Sequence, residues 1–390
     1  MVKTIVLMLD AFRRDYITSR NTPFLYGLTR KYGLGQLKQH FGFKNTVGFY
    51  TGVHPRKLGL FTNYIYDKKI RAFPYSILLS PFPGKLKFHL INFFNHLQGN
   101  DMSYPSINMD YFKYFKLKQK KHFFQQDSIE TLFSVFKRNE IGYLFYDFPF
   151  IIENGKSRIH YTFRNNDEAR AKKFLKLINK HSFYYIHLTD LDSIGHKFGP
   201  KSSEIKRTLR KTDGLVKEIL SNFDLEKDNI LIWSDHGMVP INKIFDLQSK
   251  LPGFGKDYIY FLESTMARFW FFNKKIKKQV LSILEKHKDK GKILSKQDKK
   301  SLKIDFNNNL YGDEIFLLNS GTLLYPNFFN NVPVKGMHGY DLSDRNETTF
   351  LIINRKFRKQ AKMEDLFPTL LQLMQLKFQS KIDGKSLFRK

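Results

Sequence analysis

Aspartate and histidine recur in this chain at the ends of apolar runs, where a buried strand would give way to solvent. The run Val6-Leu7-Met8-Leu9 ends in Asp10. A second run, Tyr185-Ile186-His187-Leu188, leads through Thr189-Asp190-Leu191 to Asp192 and then to Ser193-Ile194-Gly195-His196. A third, Ile230-Leu231-Ile232-Trp233, is followed by Ser234-Asp235-His236-Gly237, and a fourth element reads Gly336-Met337-His338-Gly339. Taken singly, each is ordinary: an Asp after a strand usually caps a helix or a turn. Together they form a donor set. Asp192 and His196 are one helical turn apart, and Asp235 and His236 are neighbours. Carboxylate oxygen and imidazole nitrogen suit zinc, and also manganese or iron. The chain has no cysteine, which excludes disulfides, thiolate sites and thiol nucleophiles.

Elements must carry these residues to one place. Apolar runs at Thr4–Leu9, Gly142–Tyr146, Phe183–Leu188, Asn229–Trp233 and Thr348–Ile353 read as strands. Pro23–Tyr32, Asn166–Lys180, Ser203–Asn222 and Met363–Met374 space their apolar residues as helices do. Strands alternating with helices predict an α/β fold, a mostly parallel sheet with helices on both faces. Ligands of such sheets bind beyond the carboxyl ends of the strands, which is where the acids and imidazoles fall. Two stretches break the rhythm, about 63–121, dense in Phe, Tyr and Lys, and about 256–333, which holds the basic run Lys274–Lys290. Both read as insertions that build a cap or a substrate pocket.

The chain of 390 residues has 66 basic and 36 acidic side chains, a formal net charge of +30. Such a balance attracts anions: a phosphorylated substrate or an anionic membrane surface. It equally fits a compositional bias toward Lys, Phe, Asn and Ile. The lysines are scattered rather than gathered into one motif, so specific nucleic-acid binding is not expected. The first residues lack the pattern of a signal peptide, and no apolar run reaches the roughly eighteen residues of a spanning helix. The expectation is a cytoplasmic chain, peripheral to a membrane if it meets one.

The segments at 6–17, 51–60, 190–200, 231–238 and 335–341, with Glu364–Met374 and Asp383–Leu387 after them, resemble the alkaline phosphatase superfamily and, within it, the type I phosphodiesterase/nucleotide pyrophosphatase family. Asp-Ser-Ile-Gly-His, Ser-Asp-His-Gly-Met and Gly-Met-His-Gly-Tyr are the specific motifs. The resemblance implies an alkaline-phosphatase-like three-layer sandwich forming one catalytic domain over 1–390, with the two insertions added to it. It implies two divalent metal ions, Zn2+ or else Mn2+, one on Asp192, His196 and His338 and the other on Asp10, Asp235 and His236. It implies cleavage of a phosphodiester or pyrophosphate bond in a nucleotide or nucleotide-sugar type of substrate, through a phosphothreonine. The family's nucleophile stands at the start of a helix ending in Thr-Gly, which Thr51-Gly52 matches. Counting back about nine residues reaches Gly42, and Phe43 and Lys44 also lack a suitable oxygen; the nearest hydroxyl is Thr46. A short deletion in the helix makes Thr46 the nucleophile, with Lys44 and Asn45 as contacts to the phosphoryl oxygens. Two alternatives stay open: transfer of a phosphoryl-containing group to a glycan or lipid, and a non-catalytic binding protein on a degenerate phosphatase scaffold. Arg268 and the stretch 319–329 also resemble segments of relatives and are expected to shape the pocket.

Overall fold

The computed structural model describes residues 2–43, 46–66, 114–117, 129–147, 150–159, 166–178 and 180–388. Its centre is a nine-stranded sheet. Numbered along the chain, its strands are β1 (Thr4–Leu9), β2 (Gly35–Lys38), β5 (Tyr143–Tyr146), β6 (Phe150–Glu153), β7 (Lys156–Ile159), β8 (Phe183–Leu188), β9 (Asn229–Trp233), β18 (Thr349–Ile353) and β19 (Gln360–Lys362). Their order across the sheet is β19-β2-β18-β9-β1-β8-β5-β6-β7. The middle four, β9, β1, β8 and β5, run parallel. Register pairs Leu9 with Leu188 and Met8 with Trp233, so Asp10, Thr189 and Asp235 lie at one level just beyond the strands.

β1 shows why these runs are continuous rather than alternating. Ile5, Leu7 and Leu9 join the core on one face, and Val6 and Met8 join the core on the other. A strand covered on both sides has no solvent face to hold polar residues. One face is covered by α1 (Pro23–Tyr32), α4 (Asp167–Leu175) and α6 (Ser203–Leu220), through Leu25, Phe174, Leu209 and Val216. The other is covered by α2 (Val47–Thr51), α3 (Leu132–Arg138) and α9 (Leu366–Leu373), through Phe49, Phe136 and Leu370. The result is three layers, as expected. The expected helices end earlier than their apolar pattern at Leu175 and Leu220, and the last begins as a 3-10 turn at Met363–Asp365.

The sheet is mostly parallel, β19 and β2 at one edge pairing parallel as well. β18 runs antiparallel to both β9 and β2, an exception that the expected mostly parallel sheet allows. The chain between β9 and β18 leaves and re-enters at the carboxyl end of the sheet, where it supplies His338, so β18 must run back down. At the far edge, β5, β6 and β7 form antiparallel hairpins. The β6–β7 turn is Asn154-Gly155, with φ of 47° and 84°, the pair that a two-residue hairpin turn demands.

The second expected insertion builds a lobe. β12 (Tyr258–Leu262), β13 (Met266–Phe271), β14 (Gly291–Ile293) and β15 (Glu314–Leu318) form an antiparallel sheet in the order β12-β13-β15-β14. The basic run becomes α7 (Lys274–Lys286), which buries Val280 and Leu284. α8 (Lys296–Ser301) follows β14. β10 (Val239–Pro240) with β17 (Gly336–Met337) and β11 (Lys243–Phe245) with β16 (Thr322–Leu324) stitch the lobe's base. Of the aromatic insertion, only the ribbon of β3 (Tyr64–Tyr66) and β4 (Phe115–Leu117) is described, packed on the lobe through Tyr64 and Phe115; the rest of it lies outside the described residues. Arg268 does not shape a pocket. It is wholly buried, pairs with Glu263 at 3.0 Å, and donates to the Tyr64 carbonyl, also at 3.0 Å, so it ties the ribbon to the lobe. No helix among the described residues is long and apolar enough to cross a membrane.

Candidate metal centre

The parallel strands deliver the acids and imidazoles to the carboxyl edge of the sheet. Asp10 follows β1. Its turn is pinned to the β9 turn, since Phe12 N–H donates to Ser234 Oγ at 3.0 Å and Ser234 Oγ to the His236 carbonyl at 3.0 Å. Asp235 and His236 follow β9. Asp192 and His196 lie on α5 (Asp190–Phe198), with His196 Nε2 3.1 Å from Asp192 Oδ1. His338 follows β17, and its ring stacks on that of His236 at 3.5 Å.

Two groups emerge in which ligand atoms lie within 4.8 Å of one another: Asp10, Asp235 and His236, and Asp192, His236 and His338. The first is the trio the resemblance implies for one ion. The second has Asp192 and His338 of the other trio but places His236, not His196, as the third member. His196 stands just behind, its ring 5.4 Å from that of His338.

The donor set fits metal ions in three respects. Asp10 Oδ1 and Asp192 Oδ1, one in each group, are shut off from solvent and meet only imidazole nitrogens, His236 Nε2 at 3.2 Å and His196 Nε2 at 3.1 Å, in poor hydrogen-bond geometry, a crowding of ligand atoms that a cation between them would satisfy better. His196 Nδ1 donates to the Gly336 carbonyl at 2.8 Å and His236 Nδ1 to the Gly237 carbonyl at 2.9 Å. Each imidazole therefore turns Nε2 inward, the outer bond that orients metal-ligating histidines. Finally, the crowded acids and imidazoles shift one another's proton affinities. Burial works to raise Asp10, but the imidazoles of His187 and His236 hold it well below the usual carboxylate range. Burial and then the charge of Asp10 push Asp235 up to about 7. Burial and the charge of His236 hold His338 well below the usual histidine range.

Sequence reasoning missed the residues that aim Asp10. His187 donates Nε2 to Asp10 Oδ2 at 2.9 Å and Nδ1 to Asp147 Oδ1 at 2.7 Å. Its burial opposes protonation, but the two carboxylates raise it to about 10. With both nitrogens engaged, His187 orients a ligand rather than serving as one. Its signal was a single imidazole near the end of an otherwise apolar run. Asp167 was also missed: it accepts from the backbone N–H groups of Thr189 at 2.7 Å and Asp190 at 3.0 Å, fixing the start of α5.

The nucleophile region divides the expected residues. Lys44 and Asn45 lie outside the described residues. Thr46 stands immediately before α2, and its hydroxyl makes no capping hydrogen bond, so it is not an ordinary cap. Two contacts bring this stretch to the site: Phe43 meets the His338 ring at 5.9 Å, and Phe49 of α2 meets Trp233 at 5.1 Å. Thr51 is structural, its hydroxyl donating to the Val47 carbonyl at 2.9 Å. Gly42 has φ of 98°, and a Cβ there would lie 2.7 Å from the Phe61 carbonyl oxygen. No hydroxyl-bearing side chain fits at that position.

A parallel-centred sheet with paired carboxylate–imidazole groups at its carboxyl edge is the alkaline-phosphatase-like class of fold. The family model of type I phosphodiesterase / nucleotide pyrophosphatase matches residues 4–341, and the chain belongs to that family. Human ectonucleotide pyrophosphatase/phosphodiesterase family member 1 is 26% identical over 245 residues, 60% of this chain and 23% of that protein. Human GPI ethanolamine phosphate transferase 1 is 32% identical over 93 residues, 23% of this chain and 10% of that protein. The chain thus spans under a quarter of the length of both relatives. Murine ectonucleotide pyrophosphatase/phosphodiesterase 5, solved as an inactive threonine-to-alanine variant in complex with AMP, superimposes with a TM-score of 0.69 at 16% identity, covering 98% of both chains.

Proposed function

We propose that the chain hydrolyses a phosphodiester or pyrophosphate bond of a nucleotide-type substrate at this centre. The observation that carries the reading is the convergence of Asp10, Asp235 and His236 in one group and Asp192, His236 and His338 in another, with the ligand atoms of each group within 4.8 Å of one another. The residues would hold two divalent ions, Zn2+ or Mn2+: Asp10, Asp235 and His236 one, Asp192 and His338 with His196 the other. When bound, such ions lower the pKa of a nucleophile and neutralise the charge of the phosphoryl group and its leaving oxygen.

Thr46 supplies the nucleophilic oxygen. Its Oγ1 bonds to phosphorus as the bond to the leaving alcohol or phosphate breaks, leaving on Thr46 a phosphoryl group still esterified to the rest of the substrate; water then cleaves that phosphothreonine ester, releasing a phosphomonoester and restoring the hydroxyl. His187 and Asp147 keep Asp10 aimed while this proceeds, and His196 and His236 stay fixed by their carbonyl partners. The test is hydrolysis of bis-p-nitrophenyl phosphate. Activity lost in EDTA, restored by Zn2+ or Mn2+, and accompanied by a p-nitrophenyl phosphoryl group trapped on Thr46 in a mass spectrum supports the reading. That adduct trapped on another residue, or activity indifferent to EDTA, defeats it.

The match to GPI ethanolamine phosphate transferase 1 favours a second reading, transfer of a phosphoryl-containing group to a glycan or lipid. Product analysis separates the two, since hydrolysis releases a free phosphomonoester and transfer modifies an acceptor. The closed Gly42 position favours a third, a degenerate scaffold that binds without catalysis; it predicts inactivity across a panel of diesters and monoesters with metal bound.

A further inference from the structure

A second cavity, of about 390 Å³, lies where the lobe meets the edge of the core sheet. Its walls come from Lys38–Phe41, from Ser301–Lys303 after α8, from Asp341–Ser343, and from Lys362 and Glu364. The floor is polar and buried. His40 bonds Glu364 across 2.8 Å, and the ring of His54 meets that of His40 edge-on at 4.4 Å. The rim carries Lys38, Lys303 and Lys362, all exposed, and none of the three has an ion pair among the described residues.

Lys38 and Lys362 are register partners on β2 and β19. Lys303 stands near enough to lower the pKa of both His54 and Glu364. His54 Nδ1 accepts the Arg56 N–H at 3.2 Å, so the ring proton sits on Nε2. Burial, then the charges of His40 and Lys303, press His54 down to about 3, which keeps it a neutral donor at physiological pH. Both acids in the cavity are engaged: Glu364 with His40, and Asp341 with the Ser343 N–H at 2.9 Å.

We propose that this cavity is an anion site, separate from the metal centre, which takes a phosphate or a phosphate monoester on Lys38, Lys303, Lys362 and the Nε2–H of His54. Ammonium groups are compact charges with three donors each, suited to a phosphoryl group approached from several sides. The volume falls at the small end of the 300–1,000 Å³ roughly usual for small-molecule pockets, which suits one phosphoryl group with a short substituent. The site touches the metal centre through a shared carboxylate. Gln39 Nε2 donates to Glu347 Oε2 at 3.0 Å, while Glu347 Oε1 accepts from Gly339 N–H at 2.7 Å and Tyr340 N–H at 2.9 Å, next to His338. Two sources supply such a ligand: a second phosphate at the far end of a substrate, or free phosphate acting as an effector.

The test is calorimetric titration of the full chain with inorganic phosphate in EDTA, which removes ions from the metal centre. The site predicts saturable binding that weakens at least tenfold in Lys303→Glu and in the double variant Lys38→Ala/Lys362→Ala. Circular dichroism checks that each variant stays folded. No saturable binding by the parent chain, or unchanged binding in both folded variants, overturns the proposal. Steady-state kinetics then assign the source. A substrate phosphate predicts a raised KM in Lys303→Glu for a diester bearing a second phosphate and an unchanged KM for bis-p-nitrophenyl phosphate. An effector predicts that phosphate alters turnover of bis-p-nitrophenyl phosphate in the parent chain and not in Lys303→Glu.

Discussion

The most informative single substitution is Gly42→Thr, which puts a hydroxyl where the family's spacing asks for one. A Cβ at this position would stand 2.6 Å from Phe61 Cδ2 and 2.7 Å from the Phe61 carbonyl oxygen. The ring could turn aside, but the carbonyl belongs to the backbone and accepts the Phe43 N–H at 3.1 Å, so it cannot yield without breaking that bond. The φ of 98° adds its own penalty for a β-branched residue. Left-handed strain of about 1–2 kcal/mol and overpacking of about 1–3 kcal/mol together predict a loss of about 2–5 kcal/mol. In a chain of this size that is a fall in Tm of roughly 2–6 °C. Urea denaturation followed by circular dichroism measures it; measured again in the Phe61→Ala background, against Phe61→Ala alone, the loss should shrink only in part, because the ring clash is gone and the carbonyl clash is not. Thr46→Ala should keep parental stability and lose diesterase activity, with Thr46→Ser retaining some. A stable Gly42→Thr chain with higher turnover than the parent would refute the argument, because residue 42 would then be an open nucleophile position.

Three further outcomes follow from the geometry. His187→Asn removes the bond that aims Asp10 and should weaken metal affinity about 10- to 100-fold, at some cost in stability because Asp10 and Asp147 lose their shared cationic partner; competition with a chromogenic chelator, on chain shown folded by circular dichroism, reads it. His54 has a folded pKa of about 3 against 6.5, so the unfolded chain binds the proton more readily and stability falls as pH drops from about 6.5 toward 3. His54→Asn, which keeps an acceptor for the Arg56 N–H, should flatten that slope in melting curves; an unchanged slope contradicts it. Arg268→Ala strands the buried Glu263 and should cost about 3–5 kcal/mol, while Arg268→Met with Glu263→Leu should recover most of it, as measured by urea denaturation.

Much of the fold was legible because buried strands speak in one way. β1, β8 and β9 have the bounds that their apolar runs suggest, since a strand covered on both faces ends where its apolar run ends. The direction of β18 was not legible, because direction depends on where the intervening chain begins and ends, and the lobe between β9 and β18 carries no such mark. At the site, short-range patterns spoke for Asp192 and His196 and for Asp235 and His236. The sharing of His236 between two groups depends on the stacking of its ring on His338, a contact across about a hundred residues that spacing does not encode. His187 and Asp147 stayed hidden because their role exists only once β1, β5 and β8 lie side by side. The closure at Gly42 depends on Phe61, which no local motif connects to it.

The central claim concerns ions, and counting them tests it most directly. Metal-stripped chain titrated with Zn2+ by calorimetry, with bound metal verified by mass spectrometry, should take up two ions per chain. Asp235→Ala and His338→Ala, both folded, should each bind fewer and lose roughly a hundredfold or more in activity with bis-p-nitrophenyl phosphate. Two ions retained in both variants, or none bound by the parent chain, would contradict the account.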